Sequence, residues 1–472
     1  MADPVAASEG TDKLSLSEKG GAERPPRPAR GDVVEVSVTA LAHGGAGVSR
    51  TDEGYVVFVQ GAIPGDRVRA RIGKRKRAYA EARLIDVVEP SPDRIEPVAD
   101  HPGAAWQVLP YELQLEHKAR HVEDALRRIG KLDGFTLNPI VPAAEQWRYR
   151  NKLEFSFGTG EDGSLVCGFH APGSWHEIVH IEDCMLQSGR GNEIRRALVD
   201  WARAKGYAAH DRRDRTGVLR HVVMREGRRT GEHQVRLVIA PGAGGIDAES
   251  LADAVPVDSL VLTELDSLGE TTVGGESELI AGSAKIAEEV SGLRFRLSSE
   301  AFFQTNTEMA ERLYAITGEA AALQGWERLF DLYCGIGTIG LTLAGRAGEV
   351  WGLELIEEAI ADAIDNARAN EISNARFFAG DTRLALRDLV EEAGRPDVVI
   401  VDPPRAGLSQ KVVRRIIEAA PKRIVYVSCN PTTLAPNAAQ LAEAGYSLGA
   451  VTPVDMFPQT PHVECVAVFD RA

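Results

Sequence analysis

The residues best equipped for chemistry lie in the last third of the chain, and a thiol leads them. Residues 425–434 read V-Y-V-S-C-N-P-T-T-L, so an apolar β-type run over 423–427 stops abruptly at Ser428-Cys429-Asn430-Pro431. Cys429 is thereby delivered to the C-terminal edge of a strand, where open α/β sheets hold their ligands. Pro431 suits the first position of a helix, with Ser428 or Asn430 as its cap. A helix N-terminus beside a thiol favours the reactive thiolate. Taken alone, such a cysteine is more often a buried packing residue. A second candidate, Glu464, stands in V-E-C-V-A-V-F. An acid inside so apolar a run is costly unless paired or functional, the alternative being a solvent-facing strand position. The third is Asp402, which opens D-P-P-R directly after the apolar residues 399–401.

These side chains need a sheet to bring them together. From about residue 293, β-type runs over 329–333, 349–354, 375–380, 398–401 and 423–427 alternate with helical stretches, the pattern of a parallel doubly wound sheet. The first run enters D-L-Y-C-G-I-G-T-I-G (331–340), where Gly335 and Gly337 permit a tight turn and close approach of a nucleotide-like ligand. Glu354 closes the second run, as an acid gripping ribose hydroxyls would. Asp381 follows the third, placed either to meet an adenine amine or to cap the next helix. NAD and S-adenosylmethionine sites share this logic. The loop on the fourth run separates them, because a carboxylate followed by two prolines is typical of methyltransferases. Amino-group methyltransferases usually carry an aromatic residue after the prolines; here Arg405 follows, and the fifth run brings Cys429, which points to methylation of carbon. Upstream, Phe302-Phe303-Gln304-Thr305-Asn306 precedes a helix over 308–316 and could be only a capping segment.

The rest of the chain looks like support and recognition. With 472 residues, 44% hydrophobic and 26% charged, it has room for two to four ordinary soluble domains. No apolar run of about 18 residues suggests a membrane span, and the N-terminus lacks a secretory pattern. Five widely spaced cysteines make no disulfide framework, so a reducing cytoplasm is the simplest setting. Residues 1–30 read as a disordered tail. Over 31–90 short β runs alternate with glycine turns, suggesting a small closed barrel of oligonucleotide-binding type. Residues 111–130 have helical periodicity and end at Gly130 as a C-cap, and strands with frequent turns then form a mixed, mainly antiparallel middle domain up to about 290. The net charge of −15 argues mildly against a polyanionic partner. Against this, Arg71, Lys74, Arg75, Lys76 and Arg77 crowd one segment of the barrel, as a solvated charge run or a phosphate-tracking surface.

Together these stretches resemble the RNA uridine-carbon-5 methyltransferases, and the barrel resembles their TRAM domain. The likeness covers most of the chain, through A-F-F-Q-T-N, D-L-Y-C-G-I-G-T-I-G-L, V-D-P-P-R-A-G-L, V-Y-V-S-C-N-P-T-T-L-A, P-H-V-E-C-V, Y-R-N-K-L-E-F-S-F (149–157) and L-R-H-V-V-M-R (219–225). It implies a multidomain chain: an N-terminal OB-like TRAM barrel over 31–90, a middle RNA-binding domain over 91–290, and a Rossmann-like class I methyltransferase domain over 291–472, with the helix 111–130 docked on the last. It implies S-adenosylmethionine as methyl donor, Gln304, Tyr333, Glu354 and Asp402 in the cofactor site, Cys429 as nucleophile and Glu464 as general base. The implied substrate is a uridine in RNA, large-subunit (23S) ribosomal RNA first because of the barrel and transfer RNA second. Members with an iron–sulfur cluster carry three close cysteines before that helix. This chain has H-P-G-A-A-W (101–106) there, and Cys184 alone cannot hold a cluster that needs four ligands, so none is expected. A cytosine-directed enzyme would place a second cysteine where Arg405 stands. A non-catalytic RNA-binding or assembly protein would not need Cys429 and Glu464. Pro436 puts the course of the helix after Cys429 in question. Nothing in the sequence demands more than a monomer.

Overall fold

The computed structural model describes residues 27–471 apart from Pro172, Trp175, Ala243, Gly244 and Leu268, so the expected tail lies outside the described residues except for 27–30. The chain divides into two compact units, the first ending at Pro92. In that unit β1 (Val33–Leu41), β2 (Gly47–Arg50), β3 (Val56–Gln60), β4 (Arg67–Arg75) and β5 (Tyr79–Glu89) close a barrel in the order β1-β2-β3-β5-β4. Alternation along β4 sends Val68, Ala70 and Ile72 into the core and Arg67, Arg69 and Arg71 outward. Arg67 pairs with Glu35 and Glu89, Arg69 with Asp86, and Lys74 lies 3.8 Å from Glu81. Arg71 donates to the Gly31 carbonyl at 3.3 Å. Arg75, Lys76 and Arg77 are exposed where β4 ends.

The second unit begins with α1 (Tyr111–Asp124), continued by a π turn at Ala125–Ile129, and the short strand β6 (Thr136–Leu137). The sequence suggests one regular helix ending in a glycine cap; the structure differs. Gly130 keeps a right-handed φ of −71° and Lys131 takes the left-handed one at 55°. Glycine is needed at 130 for approach, since a Cβ there would lie 2.8 Å from the Leu126 carbonyl oxygen and 3.0 Å from that of Ala435.

A seven-stranded sheet follows, ordered β13-β12-β11-β10-β7-β8-β9. It contains β7 (Lys152–Thr159), β8 (Leu165–His170), β9 (Ile178–His180), β10 (Leu219–Glu226), β11 (His233–Ile239), β12 (Ser259–Glu264) and β13 (Glu276–Gly282), with α2 (Gly189–Ala204) and α3 (Ala248–Ala254) packed on it. Its pairings are antiparallel except β11 with β12. The hairpin β14 (Lys285–Val290) and β15 (Leu293–Ser298) leads to α4 (Thr307–Ala321).

The last sheet has the order β18-β17-β16-β19-β20-β22-β21-β6. In chain order it comprises β16 (Arg328–Leu332), α5 (Thr338–Leu343), β17 (Glu349–Glu354), α6 (Glu357–Ala369), β18 (Ala375–Ala379), α7 (Thr382–Ala393), β19 (Val398–Val401), α8 (Gln410–Ala419), β20 (Arg423–Ser428), α9 (Pro431–Glu443), β21 (Tyr446–Val454) and β22 (Glu464–Arg471). The first five strands are parallel, and β22 turns back antiparallel against β20. Alternate residues of β20 feed two cores: Val425 and Val427 meet α4 on one face, Ile424 and Tyr426 meet α8 and α9 on the other. Val122, Ala125 and Leu126 join that second core, so α1 lies over this last sheet rather than the middle one. Helix α9 runs uninterrupted through Pro436, whose ring sits on the exposed face. Among the described residues no helix is long and apolar enough to cross a membrane.

Candidate active site

The C-terminal edge of the parallel strands gathers the reactive groups. Strand β20 ends at Ser428, and Asn430 caps α9 by accepting the Thr432 N–H at 3.1 Å, with Pro431 as the first helical residue. Cys429 is held between these two fixed ends. Ser428 pairs with Cys465 across the β20–β22 ladder, so one further step of antiparallel register sets Glu464 opposite Cys429. The D-P-P-R loop leaves β19 beside them and is tied to α9, since Asn430 Nδ2 and Thr433 Oγ1 both donate to the Arg405 carbonyl, at 3.1 and 3.2 Å. Arg405 Nη2 donates to His462 Nδ1 at 3.2 Å. Burial and the charge of Arg405 hold His462 down at about 4, so its ring is a neutral acceptor.

The electrostatics of this corner are acidic. Glu464 is 3% exposed, and burial together with Asp402 raises its carboxyl well above the carboxylate range. Its Oε2 has no hydrogen-bond partner. The same burial, with Glu464 and Asp402, pushes Cys429 up to about 12, against the pull of Arg405. The local pattern alone suggests a thiolate. In the free protein the helix terminus is outweighed, and the group is a thiol.

Next to this corner lies a cleft lined by Phe302, Gln304, Tyr314, Asp331, Tyr333, Gly335 and Asp402 among others. Gln304 Nε2 donates to Asp402 Oδ2 at 3.2 Å. Tyr333 is held at φ 63°, outside the ordinary range for a bulky residue, which turns the chain sharply at the end of β16. Glu354 accepts the Gly335 N–H at 3.2 Å and those of Leu355 and Ile356 at 2.6 and 3.1 Å. Gly337, at φ 83°, starts α5. Asp381 caps α7: it accepts the Arg383 N–H at 2.9 Å and pairs with the Arg383 guanidinium. Cys334 is buried within the loop.

The cleft contains a group that the motif reading passed over. Asp331 is 1% exposed; its Oδ2 accepts the Gly340 N–H at 2.8 Å while Oδ1 has no partner. Gly340 must be glycine, since a Cβ would stand 2.9 Å from Asp331 Oδ2. Burial lifts both Asp331 and Asp402 to about 7. The signal was available, because Asp331 is an acid in the apolar run L-F-D-L, as Glu464 is in its own strand. Two desolvated carboxyls, one with an unused oxygen, fit a ligand bearing positive charge.

Elements far away in sequence hold this cleft. Asn151 Nδ2 donates to the Gln304 carbonyl at 2.8 Å and to Thr307 Oγ1 at 2.9 Å, and Arg225 Nη2 donates to the Ala301 carbonyl at 2.5 Å. These are the working parts of Y-R-N-K-L and L-R-H-V-V-M-R. The loop before Glu464 is pinned by Lys118, which pairs with Asp455 at 2.6 Å with both side chains fully buried, and by Gln114 on Gln459 at 2.8 Å.

Comparison with known proteins fits this geometry. The family model described as tRNA (Uracil-5-)-methyltransferase matches residues 271–472, and the TRAM domain model matches 28–85. An uncharacterised RNA methyltransferase of Halalkalibacterium halodurans is 38% identical, over 93% of this chain and 97% of its own length. The chain belongs to the RNA (uracil-5-)-methyltransferase family. A relative in Bacteroides thetaiotaomicron, also named an uncharacterised RNA methyltransferase, is 40% identical over 91% of this chain and 100% of its own. The crystal structure of Pyrococcus abyssi tRNA (uracil-54, C5)-methyltransferase with S-adenosyl-L-homocysteine superposes with a TM-score of 0.75. It is 28% identical and is matched over 92% of this chain and 100% of that one. As a family member the chain is an S-adenosylmethionine-dependent RNA methyltransferase with an N-terminal TRAM barrel. The acidic cleft suits that cofactor, whose sulfonium and ammonium are both cationic.

Proposed function

We propose that the chain methylates carbon 5 of a uridine in RNA through a covalent adduct of Cys429. The observation that carries this reading is the end of the β20–β22 ladder at Ser428 and Cys465, which leaves Cys429 and Glu464 as the next residues at the edge of the acidic cleft. Gln304, Tyr333, Gly335, Gly337, Glu354, Asp381 and Asp402 form the cofactor site and its surround, with Asp331 added. The bound cofactor supplies an electrophilic methyl group. Carbon 5 of uracil is a weak nucleophile. Cys429 loses its proton to solvent, the thiolate Sγ adds to carbon 6, and the electron pair displaced from the ring double bond makes carbon 5 nucleophilic. After carbon 5 has taken the methyl group, Glu464 in its carboxylate form, which the charge of Arg405 favours, removes the remaining proton. The pair released re-forms the double bond and expels the thiolate. General-base help of this kind is worth about a hundred- to ten-thousand-fold. The uridine must be unpaired or extruded from its fold to reach such an edge.

Glu464→Gln keeps the nucleophile and loses the base, so it accumulates a covalent RNA–protein adduct on a denaturing gel. Cys429→Ala forms no adduct and no product, yet binds S-adenosylmethionine as before. Turnover by the alanine variant overturns the mechanism.

Large-subunit ribosomal RNA is the first substrate to test, on the strength of the barrel. Transfer RNA is the second reading, favoured by the likeness to the Pyrococcus abyssi enzyme. Mapping 5-methyluridine across total RNA in cells with and without the protein decides between them. Arg71, Lys74, Arg75, Lys76 and Arg77 belong to the RNA-facing side of the barrel. Replacing Arg75, Lys76 and Arg77 with glutamine lowers the slope of log affinity against log salt by about 2. An unchanged slope removes them from the interface. The reaction belongs in the cytoplasm, and one chain supplies every group it needs.

A further inference from the structure

The middle sheet carries a concavity that methyl transfer does not use. It opens beside the end of β7 and is lined by Ser156, His170, His210, Arg212, Arg220 and His221 among others. His210, Arg212 and Arg220 also line an adjoining hollow, to which Arg215 contributes. The loop between the two hollows reads D-R-R-D-R-T over 211–216, with Arg213 and Arg215 exposed.

Its polar groups form one array. Ser156 Oγ lies 3.2 Å from His170 Nε2 and 3.1 Å from His221 Nδ1, and Glu270 Oε2 lies 3.3 Å from His221 Nε2. Arg212 pairs with Glu270. Arg220 is 5% exposed and donates to two carbonyls, Leu265 at 2.6 Å and Gly269 at 3.0 Å. Those bonds orient its guanidinium without a hydrogen-bonded carboxylate to cancel its charge. Against Arg212, Arg213, Arg215 and Arg220 the lining of the two hollows sets Asp211, Asp266 and Glu270, so the wall keeps an excess of one positive charge. Arginines fixed in a concave wall, with a hydroxyl and imidazoles between them, are suited to phosphate oxygens.

We propose that this double hollow seats backbone phosphates of the substrate RNA away from the methylated uridine, an inference that rests on the chain being an RNA methyltransferase. The strand that forms its floor also reaches the cofactor cleft. Ser156 stands five residues along from Asn151, which holds the Gln304 carbonyl, and five residues of strand span about 16 Å. That is roughly five base steps of a duplex at about 3.4 Å each, so one folded RNA can touch both places. Contacts of this kind fix the register of the RNA without reading its bases. Two adjoining hollows beside an arginine-rich loop suit a strand better than a lone anion.

The test uses the full-length protein and a fluorescein-labelled oligouridylate about 15 nucleotides long. Arg213→Gln with Arg215→Gln, both exposed, should weaken binding about tenfold at low salt and lower the log–log salt slope by about 1.4. Glu270→Gln removes a negative charge from the wall and should tighten binding about threefold, while S-adenosylmethionine affinity stays unchanged in every variant. A 4-thiouridine version of the probe should crosslink within 209–221. Unaltered affinity and slope in the double variant, or crosslinks confined to other segments, overturn the proposal. So does full displacement of the probe by inorganic phosphate at the same phosphate concentration, which would mean a site for the free anion. Adduct formation by Glu464→Gln reports separately on methyl transfer. Loss of that adduct with the arginine dependence intact overturns the mechanism and leaves this site standing.

Discussion

At Cys429 the local sequence and the surroundings pull in opposite directions. A helix terminus is worth about 1 kcal/mol, under one pH unit of thiol acidity, too little to offset burial beside Glu464 and Asp402. Below about pH 12 the thiolate fraction grows tenfold with each pH unit. Alkylation of Cys429 by iodoacetamide in the free protein should therefore climb about tenfold per unit from pH 7 to 10 without a plateau. At pH 8 Asp402→Asn should speed the reaction and Arg405→Gln should slow it. Levelling off near pH 9 would mean an unperturbed thiol. The candidates Cys429 and Glu464 were legible in sequence because each breaks its local pattern: a thiol at a strand end, an acid in an apolar run. Their ionisation was not legible, because it depends on which strands become neighbours. Asp331 carried the same signal as Glu464 and was hidden only by the glycine motif around it.

At the scale of elements, strands were easy to read and fastenings were not. The apolar runs over 398–401 and 349–354 coincide with β19 and β17, since a strand buried on both faces is written in consecutive residues. The π turn after α1 and the close approach of Gly130 to α9 are set by a helix hundreds of residues downstream. The buried pair of Lys118 and Asp455, which lie 337 residues apart, depends on the loop after β21 in the same way. No local pattern announces such a partner. Lys118→Met leaves Asp455 buried without its cation, at a cost of about 3–5 kcal/mol. It also loosens the loop that delivers Glu464, so methyl transfer should fall along with the denaturation midpoint. Lys118→Met with Asp455→Leu removes both charges and should be milder than the single change. A double variant no more stable than the single one would show that the uncompensated charge is not what costs stability.

For the whole molecule, the net charge of −15 conceals opposed local fields. The barrel and the middle sheet display arginines, while the catalytic edge buries carboxyls. Asp331 and Asp402 titrate at about 7 in the fold and near 4 when unfolded. Raised groups of this kind contribute stability that is complete below about pH 4 and is lost as pH rises through 7. His101, His221 and His462, held at about 4, have the opposite sign and lose stability as pH falls from about 6.5 to 4. The two sets offset each other in the free protein over the same range. A cationic ligand separates them, because it lowers the carboxyl pKa values and leaves the histidines of the middle domain as they were. The thermal stabilisation given by S-adenosylmethionine should therefore grow between about pH 5.5 and 8, and calorimetry in buffers of different ionisation enthalpy should show proton release on binding near pH 6.5. S-adenosylhomocysteine lacks the sulfonium charge and should show the weaker trend. If both ligands gave a shift independent of pH, the buried carboxyls would not be the seat of the cofactor's charge, and Asp331 would be only the anchor of Gly340.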